Sequence, residues 1–137
     1  MINLKIKGKP LSKTRPRAFK SGRRISVYND QSAEMRTISN KIRLQYDGKL
    51  LSGPIRLSVT FSFSRPKNHF RTGKFSHLLK ECSPVSCMNS KDLDNLMKLY
   101  MDCLTGTVWE DDRQVIEFSA KKEWGEDFVY ISIQELA

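Results

Sequence analysis

Two stretches of the chain alternate apolar and polar residues with the two-residue period of a β-strand. The first covers residues 1–7, and the second covers residues 55–64, directly after Gly53-Pro54. Successive side chains of a strand point to opposite faces, so this period predicts strands that bury one face each. Residues 115–121 and 128–133 predict two further strands.

The last two strands are separated only by the turn Trp124-Gly125-Glu126-Asp127. A turn of this length between two strand patterns is typical of a hairpin. We therefore expect the two C-terminal strands to pair with each other.

Two other stretches repeat apolar residues every three or four positions, as an amphipathic helix does. The first helix is predicted from Asp30, a good N-cap residue, to the stop at Asp47-Gly48. The second is predicted from Leu93 to Thr105, with Gly106 as its stop. Strands and helices together predict an α+β fold, in which two main helices pack on a mixed β-sheet.

Length and composition fit a single globular domain that spans residues 1–137. The chain has 39% hydrophobic and 28% charged residues, close to average globular usage. Its apolar runs are shorter than the roughly 18–20 residues that cross a bilayer, so we expect no membrane association. Three cysteines without a disulfide spacing suit a reducing compartment, and we expect a cytoplasmic protein.

Charge is distributed unevenly along the chain. The formal net charge is +10 over residues 1–50, +5 over residues 51–90 and −6 over residues 91–137. A basic surface of this size is typical of proteins that bind a polyanion, because phosphate neutralisation releases counterions. The alternative is that the positive charge serves only solubility.

The densest basic stretch lies between the first strand and the first helix. Residues 8–24 are punctuated by glycine and proline and predict an exposed loop, closed by a hairpin around Ser21-Gly22. Pro16 favours an extended Arg15, which holds the flanking guanidinium groups away from the backbone. We predict that the basic residues of this stretch contact DNA phosphates: Lys13, Arg15, Arg17, Lys20, Arg23 and Arg24. A solvated loop whose arginines contact nothing is an open alternative.

Six carboxylates fall within residues 91–112 of this otherwise basic chain. Asp92 and Asp94 are expected at the start of the second helix, where both can point toward the positive end of its dipole. Asp112, or its neighbour Asp111, could join them if the next strand begins beside that helix end. Carboxylates about 4 Å apart repel by roughly 4 kcal/mol at an effective dielectric near 20, so such a cluster favours a bound cation.

Oxygen ligands favour Mg²⁺ or Mn²⁺, and either ion can bind a phosphate and activate a water. Lys98, one helical turn after Asp94, could orient that water or neutralise developing charge. Structural alternatives stay open: Asp92 as an N-cap, Asp94 and Lys98 as a surface pair, and Asp111-Asp112 as a turn. Zinc at His69, His77, Cys82 and Cys87 is disfavoured, because their spacing matches structural zinc sites poorly.

The order of these residues resembles a known signature. The family pattern D-x-D-N-L…K…D-x-L…D-D-x-Q-V of the RusA-type Holliday junction resolvases resembles Asp92-Leu93-Asp94-Asn95-Leu96, Lys98, Asp102 and residues 109–115 (WEDDRQV) of this chain. The run from Lys13 to Arg17 (KTRPR) is similar to the basic region of that family.

The resemblance implies specific roles for these residues. Asp92, Asp94 and Asp112 would be metal-binding acids, and Lys98 a catalytic lysine. It further implies a homodimer that nicks opposite strands of a four-way DNA junction with Mg²⁺; whether the origin is bacterial, prophage or viral stays open. Two other functions stay open: a DNA-binding or architectural protein that does not cleave, and a nuclease acting on flaps or replication forks.

Overall fold

A computed structural model describes residues 1–14, 17–28 and 31–137. The strands and helices, in chain order, are β1 (Ile2–Lys7), β2 (Arg17–Ser21), β3 (Arg24–Tyr28), α1 (Ser32–Gln45), β4 (Ile55–Phe63), α2 (Leu93–Leu104), β5 (Val115–Trp124) and β6 (Phe128–Glu135). Short 3₁₀ turns cover Lys67–His69, Gly73–Phe75 and Asp112–Gln114. The predicted α+β fold, a mixed sheet with two helices packed on it, is confirmed.

The main sheet has four strands in the order β1-β6-β4-β5. β6 lies antiparallel to both β1 and β4, whereas β5 lies parallel to β4. β2 and β3 form a separate two-stranded antiparallel hairpin. The sequence-based prediction of a hairpin around Ser21-Gly22 is therefore confirmed.

The prediction of a C-terminal hairpin was wrong. β5 and β6 do not pair, because β4 lies between them. Six of the nine residues of β4 are buried, whereas every residue of β5 is exposed or half-buried. The more apolar strand takes the central position in a sheet, because a central strand has another strand on each side. The turn after Trp124 crosses the end of β4, where the Gly125 amide donates to the Phe63 carbonyl at 2.9 Å.

Both α-helices pack on the same face of the sheet and enclose one hydrophobic core. α1 buries Ile38 and Ile42 near β1, and α2 buries six residues of its twelve. Trp109, which follows α2, is fully buried, and its indole N–H donates to Thr105 Oγ1 at 3.0 Å. This contact holds the C-terminal end of α2 against the core.

The predicted helix boundaries are close to the observed ones. α1 begins at Ser32 with Gln31 in the N-cap position, and the predicted cap Asp30 lies outside the described residues. α2 begins at Leu93, as predicted, and ends at Leu104, one residue before the predicted end at Thr105. Gly106 has φ of +79°, the left-handed conformation that glycine adopts readily after a helix.

The two edges of the main sheet differ. At the β1 edge, the Gln45 amide accepts from the Lys5 N–H and donates to the Lys5 carbonyl, both at 2.8 Å. Lys41 Nζ donates to the Lys7 carbonyl at 3.0 Å. Among the described residues, β5 has β4 on one side and no strand on the other. No helix in the described ranges combines the length and the apolar character needed to span a bilayer.

Candidate active site

The N-terminus of α2 presents two carboxylates to solvent. Asp92 occupies the N-cap position with extended backbone, φ −71° and ψ 134°, and its side chain makes no capping hydrogen bond. Asp94 lies in the first turn, and both residues are exposed. The helix therefore places two negative charges at its positive end without engaging the Asp92 carboxylate in its own capping.

Lys98 lies one turn after Asp94 on the exposed side of α2. The two side chains are not among the ion pairs of the described residues, so the surface-pair alternative is not observed. Both line a groove of about 480 Å³ between α2 and β5. The remaining lining is apolar: Leu93, Met97, Met101, Phe118 and Ala120. We call this the α2–β5 groove.

Asp111 has a structural role in the turn before β5. Its carboxylate accepts from the Arg113 N–H at 3.0 Å, while the Gln114 side chain accepts from the Asp111 N–H at 2.8 Å. The bond from the Arg113 amide is the main cause of a lowered Asp111 pKa. The Gln114 side chain also donates to the Leu51 and Gly53 carbonyls at 2.8 and 3.0 Å. Asp111-Asp112 therefore does form a turn, and Gln114 fixes it beside the start of β4.

Asp112 is exposed, but it lies far from the other two acids in the same chain. Asp112 lies three residues before Val115, the first residue of β5. The segment that leads into α2 is bonded through the Lys91 carbonyl to Lys122, near the opposite end of that strand. The seven residue-to-residue steps from Val115 to Lys122 span roughly 23 Å of extended chain. Within the described ranges, no group of three or more His, Cys, Asp or Glu side chains is arranged to hold a metal. The structure thus brings Asp92, Asp94 and Lys98 together and leaves Asp112 apart.

The base of the basic loop is attached to α2. The Lys13 N–H donates to the Asn95 carbonyl at 3.1 Å, and Lys13 Nζ forms an ion pair with Asp102 at 2.5 Å. The Leu11 N–H donates to the Tyr100 hydroxyl at 3.1 Å. Burial raises the pKa of Tyr100 to about 12. Lys13, predicted to contact DNA, is therefore partly neutralised by Asp102, a residue for which the sequence suggested no firm role.

The other predicted DNA contacts are placed less completely. Lys20, Arg23 and Arg24 are exposed on the β2–β3 hairpin. Arg15 lies outside the described residues, and Arg17 begins β2. The described segment before this hairpin is bonded to α2 at Lys13, on the helix that carries Asp94.

Sequence reasoning missed Lys122, which fixes the segment leading into α2. Its ammonium donates to the Lys91 carbonyl at 2.7 Å and to the Asn89 side-chain oxygen at 3.0 Å. Trp124 adds a bond from its indole N–H to the Ser86 carbonyl at 3.2 Å. Neither residue stands out in the sequence, because both lie beyond the predicted strand at residues 115–121 and more than 30 positions away from the segment they bind.

The loop at residues 65–90 shows no zinc site in the described part of the chain. The His69 ring packs edge-on against Trp124, with 5.2 Å between ring centroids. Cys82 is exposed and Cys87 is buried. The loop connects the end of β4 to the start of α2.

Comparison with known proteins identifies one family. The family model described as Endodeoxyribonuclease RusA matches residues 7–134 of the 137-residue chain. None of the curated proteins compared with the chain matches it. The matched range includes the candidate acids, Lys98 and every predicted DNA contact.

Proposed function

Since this chain belongs to the RusA family of endodeoxyribonucleases, we propose that it resolves four-way DNA junctions as a Mg²⁺-dependent homodimer that makes paired, symmetric nicks. The family resemblance suggested by the sequence is confirmed, and with it an endonuclease of the Holliday junction resolvase type. The proposal adds the metal, the residues and the subunit arrangement.

Asp92 and Asp94 are the residues that would hold the ion. Their exposed carboxylates at the positive end of α2 are hard oxygen donors, which suit Mg²⁺, with Mn²⁺ as a substitute. When bound, a divalent ion would supply a Lewis acid and a more acidic water for phosphodiester hydrolysis. Lys98, which lines the same groove as Asp94, would offset negative charge on the phosphate or orient the water.

Asp112 needs a second copy of the chain to reach this site. The open edge of β5 suits antiparallel pairing with β5 of another copy about a two-fold axis at Ser119. That register places Glu117 opposite Lys121 of the second copy, and the same pair occurs twice by symmetry. It also places Asp112 of the second copy near the end of β5 at which Lys122 holds the start of α2.

Apolar surface supports the same pairing. Phe118 and Ala120 lie beside Leu57 and Val59 in the sheet, on the face that the helices cover. Even so, the Phe118 side chain is 58% exposed, since β5 is an edge strand. In the proposed register Phe118 neighbours Ala120 of the second copy, so the two grooves join at the axis. Two sites related by a two-fold axis suit paired nicks on opposite strands.

The observation that carries the proposal is the pair of exposed acids at the start of α2, Asp92 and Asp94, in a RusA-family chain whose Asp94 and Lys98 line one groove. The test incubates a synthetic four-way junction with Mg²⁺ and either the wild type or Asp94→Asn. Loss of an outer-shell partner of a metal ligand costs up to about a hundredfold in activity. Because Asp94 would bind the ion directly, we expect the variant to lose more than about a hundredfold in cleavage rate. Equal cleavage by the two proteins would show that Asp94 is not required.

The substrate and the nick pattern decide between neighbouring functions. Binding without cleavage by the wild type would indicate a DNA-binding or architectural protein. Faster cutting of flaps or forks than of four-way junctions would indicate a different nuclease specificity.

A mixing experiment tests the shared site. Asp94→Asn and Asp112→Asn are each expected to be inactive alone. If Asp112 acts in the partner's site, a mixed dimer of the two variants holds one intact site and one doubly altered site. Mixing should then restore single nicks. If mixing restores nothing while subunit exchange is confirmed by labelled chains, the three acids do not act across the interface.

A further inference from the structure

A second positively charged site lies beside the start of α2. A pocket of about 260 Å³ is lined by three cationic residues, Lys9, Arg65 and Lys91, together with Trp124. We call it the cation pocket. We propose that it binds a backbone phosphate of the DNA strand next to the phosphate that is cut. The inference rests on the proposed nuclease function, and none of these cations is among the DNA contacts predicted from the sequence.

The turn between β5 and β6 holds two of the cations together. The Gly8 N–H donates to the Asp127 carbonyl at 3.1 Å. The Ser64 N–H and hydroxyl donate to the Asp127 carboxylate at 2.8 and 3.1 Å. Gly8 and Ser64 directly precede Lys9 and Arg65, so Asp127 fixes the backbone from which both side chains extend.

Arg65 is held in place before any ligand binds. One guanidinium nitrogen donates to the Pro84 carbonyl at 2.6 Å, and the group lies 5.5 Å from the centre of the Trp124 ring. These contacts restrict the side chain, and a guanidinium carries five N–H donors, so donors remain for another partner. A fixed planar guanidinium is well suited to phosphate oxygens, which it can contact through two parallel bonds.

The third cation connects the pocket to the candidate active site. Lys91 directly precedes Asp92, and its carbonyl accepts from Lys122. The described lining of the pocket contains no carboxylate. A DNA strand that presents one phosphate to Asp92 and Asp94 would therefore also pass the cation pocket. The pocket carries the opposite charge to those acids and would meet a neighbouring stretch of the DNA backbone. Phosphate contacts of this kind fix the position of a strand without reading its bases.

The test measures junction binding as a function of salt, in a cleavage-inactive Asp94→Asn background. Three variants are added singly: Lys9→Gln, Arg65→Gln and Lys91→Gln. Each phosphate contact that is lost should reduce the slope of log affinity against log salt by about one. Replacing single phosphates beside the nick site with uncharged methylphosphonates should weaken binding of the parent at one position, and this effect should disappear in Arg65→Gln.

Two controls keep the result interpretable. Lys49→Gln removes the charge of an exposed lysine that does not line the pocket and should leave the methylphosphonate pattern unchanged. Arg65→Lys keeps the charge and should retain most of the salt slope if Arg65→Gln acts by losing charge and not by unfolding. If all three pocket variants keep the parent's slope and methylphosphonate pattern, the proposal is wrong. The salt slopes are measured by binding alone, so that part of the test holds whether or not the wild type cleaves junctions.

Discussion

The two edge strands of the main sheet differ in whether their outward backbone groups are hydrogen-bonded. We call the β1 edge closed and the β5 edge open. At β1, Gln45 and Lys41 of α1 bond to the outward backbone groups of Lys5 and Lys7. At β5, the corresponding side of the strand has no neighbouring strand in the described part of the chain. An unpaired edge is a template for pairing with another chain, and proteins normally block it unless pairing is useful.

The same contrast separates the two helices. α1 donates and accepts hydrogen bonds at the β1 edge through polar side chains. α2 faces β5 with apolar side chains and carries Asp94 and Lys98 along the same groove. The closed edge is thus a stability feature. The open edge combines the surface suited to a second copy with the candidate catalytic residues, and four predictions test this difference.

The largest effect is expected from Phe118→Lys on the open edge. Burying a phenylalanine side chain contributes about 1.5–3 kcal/mol, and a two-fold interface contains two of them. We expect the dimer dissociation constant to rise by at least about a hundredfold, with little change in the stability of the single chain, since Phe118 is 58% exposed there. Sedimentation equilibrium and urea unfolding measure the two quantities.

A charge exchange checks the register of that interface. Lys121→Glu alone would place two acids opposite each other at each end of the pairing and should weaken the dimer. The double variant Glu117→Lys with Lys121→Glu restores opposite charges and should recover it. Arg56→Gln is the control for the ion pair that Glu117 makes within one chain, with Arg56 at 2.9 Å. It removes that pair and leaves Glu117 and Lys121 of the interface unchanged. A double variant no better than the single one would contradict pairing about Ser119.

A tenfold to hundredfold effect is expected from Lys122→Met, on activity more than on stability. Lys122 acts as a positioning residue, because it holds the Lys91 carbonyl and so the backbone that carries Asp92. Loss of supporting contacts around metal ligands typically costs this much. The measurement is the cleavage rate as a function of Mg²⁺ concentration, which should shift toward higher concentrations.

The matched control for Lys122 is Lys41→Met. Lys41 also donates to a backbone carbonyl, that of Lys7, but at the closed edge. It should alter stability slightly and leave the Mg²⁺ dependence unchanged. If both variants shift the Mg²⁺ dependence equally, Lys122 has no specific role in placing Asp92.

The smallest effect is expected from Gln45→Ala at the closed edge. The substitution removes two hydrogen bonds to the Lys5 backbone, which are exposed and worth about 1 kcal/mol each. Urea unfolding should show a loss of roughly 1–2 kcal/mol. The freed β1 edge should also increase concentration-dependent self-association, measured by light scattering. Unchanged behaviour in both assays would mean that these bonds do not protect the edge.

Much of the fold could be predicted from the sequence, because its elements have strong local patterns. The alternation at β1 and β4 and the three- to four-residue spacing in α1 and α2 each require only neighbouring residues. The C-terminal hairpin failed because strand order depends on competition for the centre of the sheet. β4 is more apolar than β5 and occupies that position, which a single strand pattern does not reveal.

The candidate site divides in the same way. Asp92, Asp94 and Lys98 are close in sequence on one helix, so their spacing places them together. Asp112 was expected beside them, but the parallel pairing of β5 with β4 puts the start of β5 at the far end of α2. Lys122, Trp124 and Asp127 could not be found from spacing, since they act on segments distant in the chain.

The sequence by itself determined the helices, most strands, the separation of basic and acidic regions, and the family signature, since all of these are recorded in short-range order. The tertiary structure alone decided which strand stays at the edge, how the basic loop attaches to α2, and which cations gather beside Asp92. Those arrangements result from packing and hydrogen bonds between residues far apart in the chain, whose partners local patterns do not specify.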